Sequence, residues 1–244
     1  MKKTIFLLLL DLLLVAVLLV LSWYLTNEAP LIDRNYTISD EHNLPVPEVE
    51  HLWVMIVSIW LLPVILLFLI SIFVLKSIQK TLLILFVWLQ NQAFVIFITA
   101  IVRYFFTSPR PYFNTVCSPT STSGNIVNPS FCQNNIERRD VQSFFSGHSS
   151  SVWSSWIFLI LISSYLLSTF RRKGGFYRLV FFFLPFLIVP IWMSSDRVTT
   201  GNHFLHEVII GALVGILVAL ITFFNMDKDI LRNGTQQQQQ PILP

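Results

Sequence analysis

Charged side chains are scarce in this sequence. Only 12% of its 244 residues are Asp, Glu, Lys or Arg, whereas 54% are hydrophobic and 22 are phenylalanine. Soluble globular domains carry about 25% charged residues and a smaller apolar fraction. The composition therefore excludes an ordinary soluble fold and indicates an integral membrane protein.

Long apolar runs take up most of the chain. A helix needs about 20 apolar residues to cross the hydrocarbon layer of a bilayer, and six windows approach or exceed this length. They are 4–25, 52–75, 81–102, 149–169, 177–194 and 204–225. The first follows Lys2 and Lys3 like a secretory signal, but its apolar run exceeds the roughly 7 to 15 residues of a cleavable signal, so we predict an uncleaved anchor. The sequence predicts an all-α integral membrane protein with six transmembrane helices.

The basic residues between these windows fall on one side of a six-span chain. They are Lys2, Lys3, Lys76, Lys80, Arg171, Arg172, Lys173, Arg178, Lys228 and Arg232. Cytosolic loops carry an excess of Lys and Arg, so we expect this side and both termini to be cytosolic. The segments 26–50, 103–148 and 195–203 would then face the extracellular space or a lumen.

Two features of the predicted outer segments agree with this topology. Asn35, Tyr36 and Thr37 form a glycosylation sequon, which predicts a glycan on Asn35. Cys117 and Cys132 are the only cysteines, and they lie where oxidation is permitted. A disulfide between them would close a loop of about 15 residues and contribute roughly 3 kcal/mol. Two free thiols are the alternative.

The chain divides into a single six-span domain, 1–225, and a cytosolic tail, 226–244. The tail ends in GTQQQQQPILP, a low-complexity segment that we expect to be disordered and dispensable. Asp11 is unusual because it lies within the first leucine run, where a carboxylate costs about 2.5 to 3.5 kcal/mol on insertion scales. It would pair with a neighbouring helix or stay protonated, and the sequence indicates no partner.

The first of three polar stretches, RYFFTSPRP, follows the third window. It sets Arg103 seven positions before Arg110, so that two guanidinium groups can converge on one anion. Pro109 and Pro111 are expected to end the helix there.

The second stretch, FFSGH, opens the fourth window. A helix N-terminus at this point offers unpaired backbone N–H groups, and Gly147 allows an anion to approach closely. Ser146 can cap the helix or donate a hydrogen bond, and His148 can donate a proton beside a bound anion. A plain helix cap is the alternative when this stretch is taken alone.

The third stretch, DRVTTGNHFLHEV, leads into the sixth window. His203 and Glu207 are four positions apart and share a helix face, so the carboxylate can fix the tautomer of the imidazole and raise its nucleophilicity. Arg197 brings a third guanidinium. A neutral imidazole oriented in this way can attack phosphorus while arginines neutralise the phosphate oxygens.

Together the three stretches resemble the signature of the type 2 phosphatidic acid phosphatase (PAP2) superfamily, in particular its lipid phosphate phosphatases. That signature is Lys-x6-Arg-Pro, then Pro-Ser-Gly-His, then Ser-Arg-x5-His-x3-Asp. Here the same spacings are found in Arg103-x6-Arg110-Pro111, Phe145-Ser146-Gly147-His148 and Asp196-Arg197-x5-His203-x3-Glu207. The resemblance covers most of residues 50–225.

The resemblance implies roles for the matching residues. His203 would be the nucleophile that forms a phosphohistidine, Glu207 would orient it, and His148 would protonate the leaving alcohol and then activate water. The phosphate would be held by Arg103, Arg110, Ser146, Gly147 and Arg197. The active site would lie at the extracellular or lumenal ends of helices 3, 4 and 6, with no metal or other cofactor. The substrates would be lipid phosphomonoesters such as phosphatidate, lysophosphatidate, ceramide phosphate or sphingoid phosphates.

Four residues depart from the signature: Arg103 replaces lysine, Phe145 proline, Asp196 serine and Glu207 aspartate. Asp196 is the departure with the largest expected effect, because it removes a phosphate donor and adds a negative charge. It would impair catalysis unless it pairs with Arg197 or points away.

Several other interpretations stay open. Phe-Ser-Gly-His also occurs in the related sphingomyelin synthases, which transfer a lipid headgroup. A metal hydrolase is suggested by the closely spaced His203, His206 and Glu207. Their pattern, H-x-x-H-E, fits neither H-E-x-x-H nor its inverse, and the nearby arginines would repel a cation. We expect no catalytic role for His206. A silent relative acting as a membrane scaffold is a third alternative, and a lipid diphosphate or a sugar phosphate would fit the same pocket. The bilayer and a lipid substrate are the expected partners, nucleic acid is not, and a homo-oligomer and the choice between plasma membrane and internal membranes are left open.

Overall fold

The computed structural model describes residues 2–30, 35–47, 52–119, 126–127, 132–170 and 183–226. The α-helices within these ranges are α1 (Lys2–Asn27), α2 (Leu52–Ile56), α3 (Leu62–Leu75), α4 (Ile78–Phe105), α5 (Phe113–Cys117), α6 (Gly147–Phe170), α7 (Ile188–Thr199) and α8 (Leu205–Asn225). Short 3-10 turns occupy Asp40–His42, Arg138–Val141 and Leu184–Leu187. Two short strands, β1 (Tyr36–Thr37) and β2 (Ile126–Val127), pair antiparallel.

A π-helical turn, Val57–Leu61, joins α2 to α3. Pro63 lies in the first turn of α3. A proline inside a helix lacks the N–H for the usual bond to the preceding turn, and its ring crowds the carbonyl four residues back. The wider π turn accommodates this proline, so the helical rod continues past it.

Five helical stretches in the described part of the chain are long and apolar enough to span a membrane. They are Leu9–Asn27, Trp53–Leu75, Ile78–Phe105, Gly147–Ser168 and Leu205–Asn225. They coincide with five of the six predicted windows, and the chain is a helical, multi-pass membrane protein.

The predicted fifth span, 177–194, begins in residues that lie outside the described ranges. Its described part consists of the 3-10 turn Leu184–Leu187 and the start of α7, a helix of 12 residues. The sixth membrane crossing therefore stays a prediction. The predicted tail, 226–244, also lies outside the described residues, apart from Met226.

The outward faces of the long helices carry large exposed apolar side chains. Leu13 is 60% exposed, Phe73 78% and Phe224 70%. Such a surface suits hydrocarbon, where side chains need no water and the helical backbone satisfies its own hydrogen bonds.

Helix α6 lies at the centre of the bundle. Of its spanning segment 72% is buried, compared with 17% for α1, and it packs against α3, α4, α7 and α8. Its buried side chains include Trp156, Phe158 and Ile162. The N-terminus of α6 is therefore held from several sides, which fixes the position of the residues that begin it.

Glycines on α8 allow this helix to approach α6 closely. A Cβ atom on Gly211 would lie 2.5 Å from the carbonyl oxygen of Ser146, and one on Gly215 would collide with the backbone at Ser150. Small residues four apart commonly permit such contacts between membrane helices. The close approach places the start of α8 beside the start of α6.

A small layer built from loops, the short helix α5 and the two strands covers this end of the bundle. The structure joins Cys117 to Cys132 in a disulfide, with the Cα atoms 4.6 Å apart. Phe113 is fully buried in the same layer and packs against Tyr36 of β1, with ring centroids 5.9 Å apart. Asn35 is exposed next to this strand, and its glycosylation stays a prediction.

Candidate active site

Four helix ends meet beneath this layer. Arg103 is in the last turn of α4, Gly147 begins α6, Arg197 is in the last turn of α7, and His203 lies two residues before α8. The amide of Ser146 donates to the carbonyl of Glu207 at 3.2 Å, and the amide of His203 donates to the carbonyl of Arg197 at 3.0 Å. The structure therefore brings the three predicted stretches together at one end of the bundle.

His203 and Glu207 form a buried pair. Nδ1 of His203 is 3.2 Å from Oε2 of Glu207, and the two residues are 1% and 0% exposed. An ionised carboxylate only accepts hydrogen bonds, so this contact assigns the proton to Nδ1 and leaves a lone pair on Nε2. No described residue hydrogen-bonds to that Nε2.

The surroundings of His203 keep its imidazole neutral. Burial lowers the pKa of His203 well below the usual 6.5, and the charges of Arg110, Arg103, His148 and Arg197 lower it further. A positive imidazolium would be both desolvated and repelled at this position. A neutral ring with its Nε2 lone pair available has the properties of a nucleophile.

Ser143 also belongs to this group, although the sequence analysis did not identify it. Its hydroxyl donates to Oε2 of Glu207 at 2.5 Å and lies 3.3 Å from Nδ1 of His203. Ser143 is fully buried in the loop before α6. A lone serine 60 residues from His203 in sequence has no local spacing that would reveal this contact.

The guanidinium of Arg103 lies against the start of α6. Its Nε donates to the carbonyl of Phe145 at 3.0 Å. A Cβ atom on Gly147 would lie 3.3 Å from Nη2 of Arg103 and 3.2 Å from Cγ2 of Thr99. Gly147 therefore gives this arginine, and an anion beside it, room to approach the helix N-terminus.

Arg110 reaches the same region from an extended segment, because α4 ends before the two prolines. Its Nε donates to the carbonyl of Arg139 at 2.8 Å, and its Nη1 donates to Oδ1 of Asn202 at 3.2 Å. Asn202 is a second residue that the sequence analysis missed. It is buried, and its backbone N–H donates to the carbonyl of Arg197 at 3.1 Å. Asn202 therefore hydrogen-bonds both to the side chain of Arg110 and to the backbone of Arg197.

Asp196 pairs with Arg197. Nη2 of Arg197 is 2.5 Å from Oδ2 of Asp196, and Nε is 3.2 Å from the same oxygen. Of the two alternatives raised for this departure, the structure has the ion pair. We expected such a pair to spare catalysis, but the carboxylate contacts the same guanidinium that the resemblance assigns to phosphate, so the pair itself would compete with phosphate.

The serines that open α6 bind their own backbone and the neighbouring helices. Ser146 caps the helix, since its Oγ accepts from the amide of Ser149 at 3.4 Å. Ser149 donates to the carbonyl of Val208 on α8 at 2.9 Å, and Ser150 is 3.1 Å from the hydroxyl of Thr99 on α4. These bonds fix the first turn of α6, where His148 is half-buried.

A pocket of about 310 Å³ begins at these residues and extends into the apolar part of the bundle. Its polar lining includes Arg103 and His148, with Gly147 at the helix start beside the arginine. The rest of its wall is mostly apolar and includes Ile59, Trp60 and Ile96. The pocket therefore combines a polar side that carries a guanidinium with a mostly apolar wall.

The remaining histidine of this region stands apart. His206 is exposed and stacks on Phe204, with ring centroids 5.6 Å apart. It does not join the buried contact between His203 and Glu207. Within the described ranges, no group of three or more His, Cys, Asp or Glu side chains gathers as metal ligands would.

A sequence profile of the PAP2 superfamily matches residues 81–230, which is more than half of the chain. The chain belongs to the PAP2 superfamily. The resemblance drawn from the three motifs is thereby confirmed, and every predicted site residue, from Arg103 to Glu207, lies inside the matched PAP2 region.

Three curated proteins are similar to this PAP2 chain. Phospholipid phosphatase 1 of Rattus norvegicus is 32% identical over 132 residues, which are 51% of this chain and 45% of that protein. A PA-phosphatase related-family protein of Dictyostelium discoideum is 29% identical over 237 residues, 90% of this chain and 63% of that protein. "Probable lipid phosphate phosphatase 4" of Arabidopsis thaliana is 33% identical over 90 residues, 37% of this chain and 29% of that protein. The chain thus spans less than two thirds of the length of each, and no solved structure matches it significantly.

Proposed function

We propose that this chain is a lipid phosphate phosphatase that hydrolyses lipid phosphomonoesters through a phosphohistidine intermediate. The observation that carries the proposal is the state of His203. Its Nδ1 is engaged by Glu207, its Nε2 has no hydrogen-bond partner in the described part of the chain, and arginines surround it. This arrangement suits attack on an electrophile that carries negative charge.

In the proposed first step, Nε2 of His203 attacks the phosphorus of the bound phosphomonoester. An N–P bond forms while the P–O bond to the lipid alcohol breaks, and His148 gives its proton to the departing oxygen. Glu207 stabilises the charge that develops on the imidazole. Arg103, Arg110 and Arg197 balance the negative charge on the equatorial oxygens, where most of the transition-state charge lies.

In the proposed second step, His148 takes a proton from water, and the water oxygen attacks phosphorus. The N–P bond breaks, inorganic phosphate leaves, and His203 returns to its neutral form. Since three guanidinium groups supply the positive charge, the proposed reaction needs no metal ion and no other cofactor.

The pocket beside the site favours a lipid over a soluble substrate. Its polar end, at Arg103 and His148, suits a phosphate headgroup, whereas the wall formed by Ile59, Trp60 and Ile96 suits an acyl or sphingoid chain. The names of the similar phosphatases from rat and Arabidopsis also refer to phospholipid and lipid phosphate. We therefore propose phosphatidate, lysophosphatidate, ceramide phosphate and sphingoid phosphates as the candidate substrates.

We further propose that the site faces the extracellular space or a lumen. Thr26 at the end of α1 lines the pocket of the site, while Lys2 and Lys3 begin the same helix. Likewise, Lys80 lies in the first turn of α4 and Arg103 in its last turn. The lysines thus lie at the end of the bundle away from the site, and an excess of positive charge favours the cytosol.

Phosphate release from phosphatidate and lysophosphatidate in detergent micelles containing EDTA tests the proposal. Wild type is expected to release phosphate, and His203→Gln, which keeps much of the ring's volume, is expected to lose at least about 1000-fold in kcat. His206→Gln is the matched control, because it changes an exposed histidine three residues along the chain.

The other interpretations predict different results. A metal hydrolase would be inactive in EDTA, and a headgroup transferase would release little phosphate but would label an added lipid alcohol. A silent relative would neither release phosphate nor label the alcohol. A cooperative unfolding transition would show that such an inactive protein is nevertheless folded. Undiminished activity of His203→Gln would overturn the proposed mechanism.

A further inference from the structure

A second cavity, of about 540 Å³, lies between α1, α4 and α8. It is bordered by Asp11 of α1, Gln90 of α4 and the last turns of α8, including Asn225. Since the candidate active site is at the C-terminal end of α4 and the N-terminal end of α8, the second cavity lies toward the opposite end of the bundle. None of its lining residues is shared with the first pocket.

The polar groups of this second cavity are incompletely satisfied by the protein. Thr222 donates to Oδ1 of Asn91 at 3.2 Å, and the Asn225 amide donates to the carbonyl of Ile221 at 2.9 Å. The carboxylate of Asp11 and the amide of Gln90, in contrast, have no hydrogen-bond or ion-pair partner among the described residues. Of the two alternatives raised for Asp11, pairing with a neighbouring helix is therefore not found within the described ranges.

Unsatisfied polar groups at membrane depth are costly, and ionisable residues there usually face a cavity that water or a ligand occupies. The second cavity has the size of sites that hold small organic ligands, about 300 to 1,000 Å³. An occupant that satisfies it must donate hydrogen bonds to Asp11 and complement its negative charge. It must also be apolar where Leu14 and Phe94 form the wall.

We propose that the second cavity binds an amphiphile with a protonated primary amine and a single hydrocarbon chain. An ammonium group has three donors and a positive charge, which suit the Asp11 carboxylate and the carbonyl oxygen of Gln90. The chain would lie against the apolar wall. An anionic headgroup is disfavoured, because the described residues that line the cavity include no basic side chain and the Asp11 carboxylate repels it.

The rim of the cavity lets such a molecule enter from the bilayer. Leu14 is 42% exposed, Phe94 39% and Ile221 51%, all on the lipid-facing surface of the bundle. A single-chain amine can therefore reach Asp11 laterally while its chain stays in an apolar environment.

The test measures thermal unfolding of the full-length protein in a neutral detergent, with n-dodecylamine as the probe and n-dodecanol as the uncharged probe of equal chain length. Dodecylamine is expected to raise the unfolding midpoint of wild type in a saturable way, whereas dodecanol is not. Asp11→Asn preserves the shape of the side chain and removes its charge. It is expected to weaken the apparent affinity for dodecylamine at least about tenfold.

A second variant guards against misfolding of the first. Ile221→Trp fills the rim of the cavity and leaves Asp11 in place, so it should also abolish the stabilisation by dodecylamine. Glu41→Gln, an exposed carboxylate outside the bundle, is the matched control and should respond like wild type. Equal stabilisation of wild type and both cavity variants, or equal stabilisation by dodecanol, would overturn the proposal. A wild type that does not respond to dodecylamine would also overturn it. If Asp11→Asn then changed the oligomer size, Asp11 would instead contact a second copy of the chain.

Discussion

Ser143 and Glu207 share the shortest contact around the candidate nucleophile, with Oγ 2.5 Å from Oε2. The same carboxylate oxygen accepts the backbone amide of Phe204 at 3.1 Å and lies 3.2 Å from Nδ1 of His203. Three donors from three directions fix the carboxylate, and the carboxylate in turn fixes the imidazole. We therefore predict that Ser143 is a positioning residue that acts through Glu207.

Replacing Ser143 by alanine is expected to lower kcat about 10- to 100-fold, the usual effect of losing a partner that orients a reactive histidine. KM should change little, because Ser143 is not among the phosphate contacts. Ser143→Thr retains the hydroxyl and should recover part of the activity. Ser155→Ala, farther along α6, is the control for general damage. A proportional rise in KM without a fall in kcat would contradict the positioning role.

Asp196→Ser removes the carboxylate that pairs with Arg197 and introduces the residue of the family signature. Because the guanidinium would then lose a carboxylate that competes with phosphate, kcat/KM is expected to rise about 3- to 10-fold. Steady-state phosphate release from lysophosphatidate measures the change. Asp196→Asn removes the negative charge without introducing a serine hydroxyl, so its kcat/KM should lie between those of wild type and Asp196→Ser. A loss of activity in both variants would mean that the ion pair holds Arg197 in its working position.

The ionisation of His203 can be followed directly. Since its pKa is lowered by burial and by Arg110, the ring takes up a proton only at a pH well below that of an ordinary histidine, near 6.5. Nitrogen NMR of histidine-labelled protein, assigned by comparison with His203→Gln, should find the neutral Nδ1–H tautomer unchanged from pH 8 to about 6. A titration midpoint at or above 6.5 would contradict this prediction.

Gly215→Ala tests the packing of α8 on α6 rather than the chemistry. An added Cβ would lie 3.0 Å from the amide nitrogen of Ser154 and closer still to the carbonyl oxygen of Ser150, so the helices must separate. We expect the free energy of unfolding to fall by about 1 to 3 kcal/mol, as is usual for overpacking. Thermal unfolding measures the effect. Leu217→Ala, on the exposed face of the same helix, should destabilise less, and a reversed order would refute the packing argument.

Local spacing decided how much of the candidate site the sequence could predict. The spacing of four between His203 and Glu207 predicted that the two side chains meet, but not how: His203 precedes α8 and does not share a helix face with Glu207, whose carboxylate lies at the helix start and also accepts the amide of Phe204. Ser143 and Asn202 could not be found in this way, because their partners are brought near only when separate helices pack together. The sequence also could not predict whether Asp196 forms an ion pair with Arg197. Two neighbouring side chains can either pair or point in different directions.

Hydropathy predicted five of the helical spans for a similarly simple reason, because a long apolar run in hydrocarbon can satisfy its backbone only as a helix. It did not predict the two short strands, which form in the layer outside the spans. Nor did it indicate the π turn before Pro63, which depends on how the backbone adapts to a proline inside a continuing helix.

Helix α1 is the most loosely embedded of the spans, with only 17% of its segment buried, and it packs mainly on α4. It nevertheless contributes to both cavities, through Thr26 at one end and Asp11 toward the other. Helix α1 therefore forms part of the wall of both cavities. A slide or tilt of α1 along α4 would change the volumes of both cavities. A change of bilayer thickness that tilts this helix would therefore act on the two cavities at the same time.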